Sequence, residues 1–380
     1  MRAALPSPSP TPTPSPSPAP IGSVLSHQRL SNGENGLPAN FTSDGDQLGI
    51  VAVSIGDWDG NGYGDFVVAT RDYSIHIILM GLGNNVDEVV TLTPTSEGFG
   101  LETPSVSGHW GHSLAFVGEE PLPGSPSETG VRVLLGHFGV HSVYDFLVTR
   151  NGTFAESRLY TQQSPGILGY VPAGGRFGIT VESADVNGDG HPDMIVTRDE
   201  GGESNRGAVH ILFRNSTMDV YDVDEITGGV GVVPSGATAI SQGFGYSLAW
   251  IGAWGDGTNV LAIGSGPPSG SNGAVYLIGF NQNGTQQWYQ KLESGEHGLP
   301  PIAAPPTFGA GLGAMDLDGV PPLDLAVAQR GTAAQESKLW FLVLDSAGRN
   351  VSSYLQVGNN EGGPGTGNLI TTGQFGSSIA

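Results

Sequence analysis

The chain has 380 residues, a formal net charge of -22 at pH 7, 61 glycines and no cysteine. Without cysteine there is no disulfide framework, zinc–thiolate centre or cysteine nucleophile. The lysines are only Lys291 and Lys338, so no basic stripe exists to neutralise phosphates, which argues against nucleic-acid binding. No apolar run approaches the roughly 18–20 residues of a membrane span. Low charge content and many Val, Ile and Gly residues suit numerous short strands and little helix.

Met1 to Leu5 is too short and too weakly apolar for a signal peptide. Pro6 to Pro20 alternates Pro with Ser or Thr, a polyproline II spacer that places a linker over residues 1–22. Five Asn-x-Ser/Thr sequons follow, at Asn40, Asn151, Asn215, Asn283 and Asn350. They suit a secreted glycoprotein, and Asn-Gly and Asn-Ser are also ordinary turn residues. Linker, acidity and the loops described below together predict an extracellular or cell-surface protein.

From about residue 22 the chain repeats. An aromatic residue or leucine precedes glycine at Leu48-Gly49, Trp110-Gly111, Phe177-Gly178, Phe244-Gly245, Phe308-Gly309 and Phe375-Gly376. After each complete marker come three apolar runs and a fourth, more polar one. Examples are Ile50–Ile55, Phe66–Ala69, Ile75–Met80 and Val89–Leu92 in the first unit. In the second unit Val131–Leu135 is read as the third run, which puts His137 and His141 near the third-to-fourth turn. Four short strands per unit predict an all-β fold, a β-propeller of four-stranded blades over residues 23–380.

Leu30–Pro38 (LSNGENGLP) matches Leu292–Pro300 (LESGEHGLP), so an outer strand is expected before the first unit. Phe375–Ala380 reads as the opening of a further inner strand. The expectation is five complete blades plus parts of a sixth, with a ring of six or seven blades truncated at the C-terminus.

Between the first and second runs lies a nine-residue loop rich in oxygen ligands. Asp185, Asn187, Asp189 and Asp193 occupy its positions 1, 3, 5 and 9 in the third unit; Asp57, Asp59, Asn61 and Asp65 do so in the first. Hard oxygen ligands in a tight glycine-permitted loop are what Ca²⁺ requires. A third loop keeps Asp316, Asp318 and Asp324 but has Val320 at position 5, so water would fill the gap. Position 12 is Val68, Val196 or Val327 rather than glutamate, which excludes an EF-hand. The same residues would also form an Asx-rich turn without metal. The second unit has Gly118-Glu119-Glu120-Pro121 in place of the loop, and the fourth keeps only Asp256.

Phe177-Gly178, the Asp185–Asp193 loop and Met194-Ile195-Val196 together resemble an FG-GAP repeat, the unit of the propeller in integrin α subunits and related secreted proteins. The resemblance implies two Ca²⁺ sites and a third, incomplete one. It adds the backbone carbonyls of Tyr63 and His191, at position 7, to the ligand sets. The Gly-Ala-Pro element that follows strand two in the family is absent from most units here. Arg71, Arg198 and Arg330 recur instead, and are expected to bridge to a neighbouring blade.

No Gly-x-Ser-x-Gly elbow, P-loop or His-Glu-x-x-His motif occurs, and the nine histidines are scattered. The expected function is therefore an extracellular Ca²⁺-stabilised interaction module, not an enzyme, recognising a protein or glycan. The recognition loops would be Glu97–His109, Gln162–Arg176, Gly228–Gln242 and Glu293–Thr307. Two other readings stand beside it: an accessory or partial domain of a secreted lyase or phospholipase, and a propeller lectin. The tryptophans fall at different blade positions, against the lectin.

Overall fold

The structure, a computed structural model, describes residues 30–42, 48, 51–70, 72–101, 110–199, 202, 206–238, 243–254, 256–266, 273–302, 307–331, 337–345 and 349–358. The 1–22 linker and the Phe375–Ala380 segment lie outside them. Blade 1 comprises β1 (Val51–Gly56), β2 (Asp65–Ala69), β3 (Ile75–Met80) and β4 (Val86–Leu92). Blade 2 comprises β5 (Ser113–Leu122), β6 (Ser125–His137), β7 (Ser142–Val148) and β8 (Phe154–Thr161). Blade 3 comprises β9 (Val181–Ala184), β10 (Asp193–Arg198), β11 (Ala208–Arg214) and β12 (Val220–Ile226). Blade 4 comprises β13 (Phe244–Ala253), β14 (Asn259–Ser265), β15 (Ala274–Phe280) and β16 (Gln286–Leu292). Blade 5 comprises β17 (Thr307–Met315), β18 (Asp324–Arg330), β19 (Lys338–Leu344) and β20 (Val351–Val357).

Each blade is an antiparallel sheet whose strands follow chain order. The first strands adjoin in series, β1 beside β5, then β9, β13 and β17, which makes them the inner strands of five propeller blades among the described residues. Side chains alternate along a strand, so the two faces of one blade feed two different interfaces. Met194, Val196 and Leu212 pack with Leu134 and Val143 of blade 2. Ile195 and Ile211, their alternates, pack with Leu261, Ile263 and Ile278 of blade 4. Both faces being buried, the second and third strands read as unbroken apolar runs.

The aromatic–glycine marker is an inter-blade device. Trp110, Phe177, Phe244 and Phe308 are all at most 3% exposed, each in the core between its own blade and the preceding one. The glycine after Phe177 has φ +88°, and a Cβ there would lie 2.4 Å from the Ser142 carbonyl oxygen of blade 2. Only glycine permits both that conformation and that approach.

The match between residues 30–38 and 292–300 holds in three dimensions. Gly33 N donates to Pro38 O at 3.1 Å and Gly295 N to Pro300 O at 3.2 Å; Leu37 and Leu299 are each 4% exposed. In both loops the turn meets the first residue of a fourth strand, Val86 N donating to Asn35 O and Val351 N to His297 O.

Blade 2 departs from the expectation. Val131–Leu135 belongs to β6, the second strand, and the third strand is β7. His137 and His141 therefore flank the second-to-third turn. The misreading arose because β5 and β6 run on as a long hairpin through Gly118–Pro121, with Leu122 paired to Ser125. The nine-residue loop is replaced by extra strand, so the second strand reads as the third and β7 goes unread, while Arg158–Thr161 falls in the fourth strand as expected.

Candidate metal centres and the two loop faces

In all three acidic loops, carboxylates at the first positions accept hydrogen bonds from the loop's own backbone. Asp57 accepts from Asn61 N at 2.9 Å and Gly62 N at 2.8 Å; Asp185 accepts from Asp189 N at 3.1 Å and Gly190 N at 2.9 Å. Asp316 accepts from Gly319 N at 2.6 Å and Asp318 from Val320 N at 2.9 Å. Asn61 and Asp189, at position 5, accept from the amides of Tyr63 and His191, both at 2.8 Å. The carbonyls of Tyr63 and His191 accept no hydrogen bond among the described residues.

The ninth aspartate serves a second purpose. Asp65, Asp193 and Asp324 are at most 1% exposed. One oxygen of each accepts from the amide at loop position 2: Trp58 at 2.9 Å, Val186 at 3.0 Å, Leu317 at 3.0 Å. The other accepts from the amide of the last residue of the third strand: Met80 at 2.8 Å, Arg214 at 2.9 Å, Leu344 at 2.9 Å. Each carboxylate thus ties its loop to the middle of the blade. Burial pushes the Asp193 carboxyl up to about 6, opposed by these amides and assisted by the charges of Asp189 and Asp185. Asp65 and Asp324 are raised by the same causes.

Carboxylate oxygens of Asp57, Asp59 and Asp65 lie within 4.8 Å of one another, and so do those of Asp316, Asp318 and Asp324. The loop at 316–324, incomplete by sequence, therefore gathers its three carboxylates as closely as the first. The 185–193 loop has the full set of donor types, yet its acids are not gathered to that distance. A residue invisible to the loop motif, Tyr221 of β12, accepts from Asn187 Nδ2 at 2.8 Å and donates to Asp189 Oδ2 at 3.3 Å. Its distance of 32 residues from Asp189 gave no local signal.

In blades 2 and 4 an arginine stands in the region of the acidic loop, from blade 2 itself in one case and from blade 5 in the other. Leu135 pairs with Leu114 as Val196 pairs with Val181, so Arg132 stands where Asp193 stands in blade 3. Arg132, 2% exposed, donates to Asp145 Oδ1 at 2.8 Å and Glu156 Oε2 at 2.7 Å. The other Asp145 oxygen accepts from Arg214 of blade 3 at 2.9 Å. In blade 4, Asp256 accepts from Arg349 of blade 5 at 2.9 Å, and the same guanidinium lies 3.9 Å from the Trp288 ring centroid. Arg198, expected to bridge between blades, instead binds within blade 3: its Nε donates to His210 at 3.0 Å and its Nη2 lies 3.7 Å from Glu225. Arg330 forms no ion pair among the described residues, and Arg71 lies outside them.

Antiparallel order puts the acidic loops and third-to-fourth turns on one face, and the second-to-third and fourth-to-first loops on the other. Of the expected recognition loops on that second face, Gln162–Arg176 is described throughout. Gln162 braces it, its amide bonding Pro172 O at 2.7 Å, Gly174 O at 2.7 Å and Gly174 N at 3.0 Å. At its outer turn Leu168 and Tyr170 are each 60% exposed. Beside it is an open hollow of about 540 Å³ lined by Pro172, Arg198, Glu225, Thr227, Val230 and Ser235.

A propeller of four-stranded blades with acidic loops on one face is the class this geometry defines. Residues 177–212, from the Phe177-Gly178 marker through most of β11, match the FG-GAP repeat family. No curated protein matches the sequence. Among solved structures, the chain is similar to the Dos1 propeller at 14% identity and a TM-score of 0.39, covering 81% of this chain and 57% of that one. It is also similar to BBS1N from a complex with ARL6DN, at 10% identity and a TM-score of 0.38, covering 81% of this chain and 76% of that one. Neither the repeat match nor these folds singles out the integrin α subunits.

Proposed function

We propose that the chain is an extracellular, Ca²⁺-stabilised interaction module, not an enzyme, that binds a protein or glycan partner on the face opposite the acidic loops. The observation that carries the reading is the braced Gln162–Arg176 loop, which holds Leu168 and Tyr170 exposed on a framework of partly buried hydrogen bonds. Exposed apolar and aromatic anchors on a rigid loop are the usual centre of a binding surface.

The donor sets fit Ca²⁺. Asp57, Asp59, Asn61 and Asp65 would hold one ion with the Tyr63 carbonyl, and Asp185, Asn187, Asp189 and Asp193 a second with the His191 carbonyl. Asp316, Asp318 and Asp324 would hold a third with water. The ion would supply charge neutralisation and would join first strand to second. The tryptophans favour a protein-type surface over a lectin. Trp58, Trp110, Trp254 and Trp340 are at most 7% exposed, and the ring of Trp288 is covered by Arg349.

The test has two arms. Thermal melting of the full chain in chelator and in millimolar Ca²⁺ should differ, and an unchanged melting temperature refutes the metal reading. Binding to arrayed extracellular proteins and glycans should be lost in Leu168→Ser/Tyr170→Ser with folding intact. Equal binding by the variant refutes the assigned face.

A further inference from the structure

Four of the five sequons fall in the third-to-fourth turns of blades 2 to 5, on the face of the acidic loops. The turn geometry alone does not demand this. Asn215 is the first residue of its turn and closes it, its Oδ1 accepting from Thr217 N at 2.9 Å and Asp219 N at 3.1 Å. Thr149, Asn281 and Asp345 stand at the same place in their turns, so several residue types serve there. Asn350 is the last residue of its turn; it is half-buried, and its Nδ2 donates to Asp345 at 3.3 Å.

Asn151 and Asn283 differ from both. They occupy equivalent tips, followed by Gly152 and Gly284, whose amides donate to Thr149 O and Asn281 O. Both asparagines are exposed. Each Oδ1 accepts from the sequon threonine hydroxyl, Thr153 at 3.2 Å and Thr285 at 2.7 Å. Neither Nδ2 donates to any described residue. The amide nitrogen is thus presented to solvent while the oxygen alone maintains the turn. A carboxylate would maintain it equally, yet both positions keep the amide in a chain with 36 acidic residues.

We infer that Asn151 and Asn283 are N-glycan acceptors, and that their glycans cover the acidic-loop face and leave the opposite face for the partner. The inference rests on the extracellular reading above. The donor is a polyisoprenoid diphosphate-linked oligosaccharide. Asn Nδ2 attacks the anomeric carbon, a C–N bond forms, the C–O bond to diphosphate breaks, and Nδ2 loses one proton to base. The products are glycosyl-asparagine and the lipid diphosphate.

The experiment is expression of the full chain with an appended secretion signal in a eukaryotic cell. Site occupancy is then read by mass spectrometry of the total cell and medium protein after enzymatic deglycosylation in heavy-oxygen water. Both Asn151 and Asn283 should carry the label, and Asn151→Asp and Asn283→Asp should each lose one glycan. A bare amide at either position overturns the inference. The extracellular reading is judged separately, by where the protein goes with its own natural N-terminus. Secretion with both sites bare would sink this inference alone, and retention with both sites competent would sink the localisation alone.

Discussion

Asp59→Asn should change sign with the metal. Asp59 shares a 4.8 Å cluster with Asp57 and Asp65. At an effective dielectric near 20, two charges at such a distance repel by about 3 kcal/mol. Asp57 is exposed and the Asp59 side chain is 14% exposed, so screening reduces each repulsion to about 1 kcal/mol. Arg150, 3.9 Å from Asp59 and 53% exposed, offsets about 0.5 kcal/mol of this. Asparagine retains the Oδ1 that accepts from Asn61 N at 3.0 Å and gives up the Oδ2 that accepts from Asn61 Nδ2 at 3.0 Å, an exposed hydrogen bond worth about 0.5 kcal/mol. In chelator the variant should therefore be more stable by about 1 kcal/mol, which in a chain of this size raises the melting temperature by about 2 °C. In Ca²⁺ the order should invert. A ligand at a hundred times its dissociation constant contributes about 2.7 kcal/mol, and the variant forfeits much of that by losing a charged ligand. Calorimetry in the two buffers decides it. A variant that melts below the wild type in chelator, or an equal Ca²⁺ shift in both proteins, refutes the reasoning.

Asp145→Asn should cost about 3–5 kcal/mol in urea denaturation, because it leaves Arg214, fully buried, without its carboxylate; a loss under about 1 kcal/mol would show that the pair is not needed. Gly298→Ala should destabilise by about 3 kcal/mol, since φ is +86° and the new Cβ would lie 2.0 Å from the Val351 carbonyl oxygen. Its control is Gly295→Ala, with φ +80° and open space around it, expected to cost about 1 kcal/mol; equal effects would disprove the close-approach argument. Burial, aided by the Arg198 charge, holds the His210 imidazole down at about 3. The unfolded chain takes up that proton near 6.5, so stability should fall as pH drops from about 6.5 towards 3. His210→Tyr, the residue blades 2 and 4 carry at this position as Tyr144 and Tyr276, should remove that acid limb in a pH series of melts. A parallel pH dependence in wild type and variant would refute it.

The repeat was legible because its signals are local and physical. The aromatic–glycine marker reports a buried plug and a close approach between blades, and the acidic loop reports a tight turn with convergent oxygens. Both are written within a few residues. Blade 2 was misread where β5 and β6 replace the loop with strand, because a long hairpin and two separate strands carry the same alternation. Arg132, Asp145 and Arg214 were not legible at all: their contact joins residues 69 apart, and nothing near Asp145 marks it as lying between two cations. Tyr221 escaped for the same reason. Arg198 was visible as a recurring residue, but its contacts with His210 and Glu225 of its own sheet were not, because they depend on the direction of its side chain.

Blades 1, 3 and 5 bear the acidic loops; in the corresponding region blade 2 bears Arg132, and blade 4 receives Arg349 from blade 5. The arginines meet Asp145 and Asp256, so in these blades the protein itself supplies the positive charge. Arg132 is linked through Asp145 to Arg214, whose backbone amide holds Asp193 of the neighbouring acidic loop. One buried chain of charges thus runs from a blade without an acidic loop into a blade with one. A covalently attached cation does not dissociate, so under the proposed function chelation should act unevenly around the propeller. Amide exchange at the loop ends of β1–β2, β9–β10 and β17–β18 should accelerate on removing Ca²⁺. Exchange at β5–β6 and β13–β14 should stay as it was, and β9–β10 should respond less than β1–β2 because the Arg214 side chain, bonded to Asp145 of blade 2, continues to anchor the strand that holds Asp193. Uniform acceleration in all five blades would mean that the arginines do not stand in for the ion.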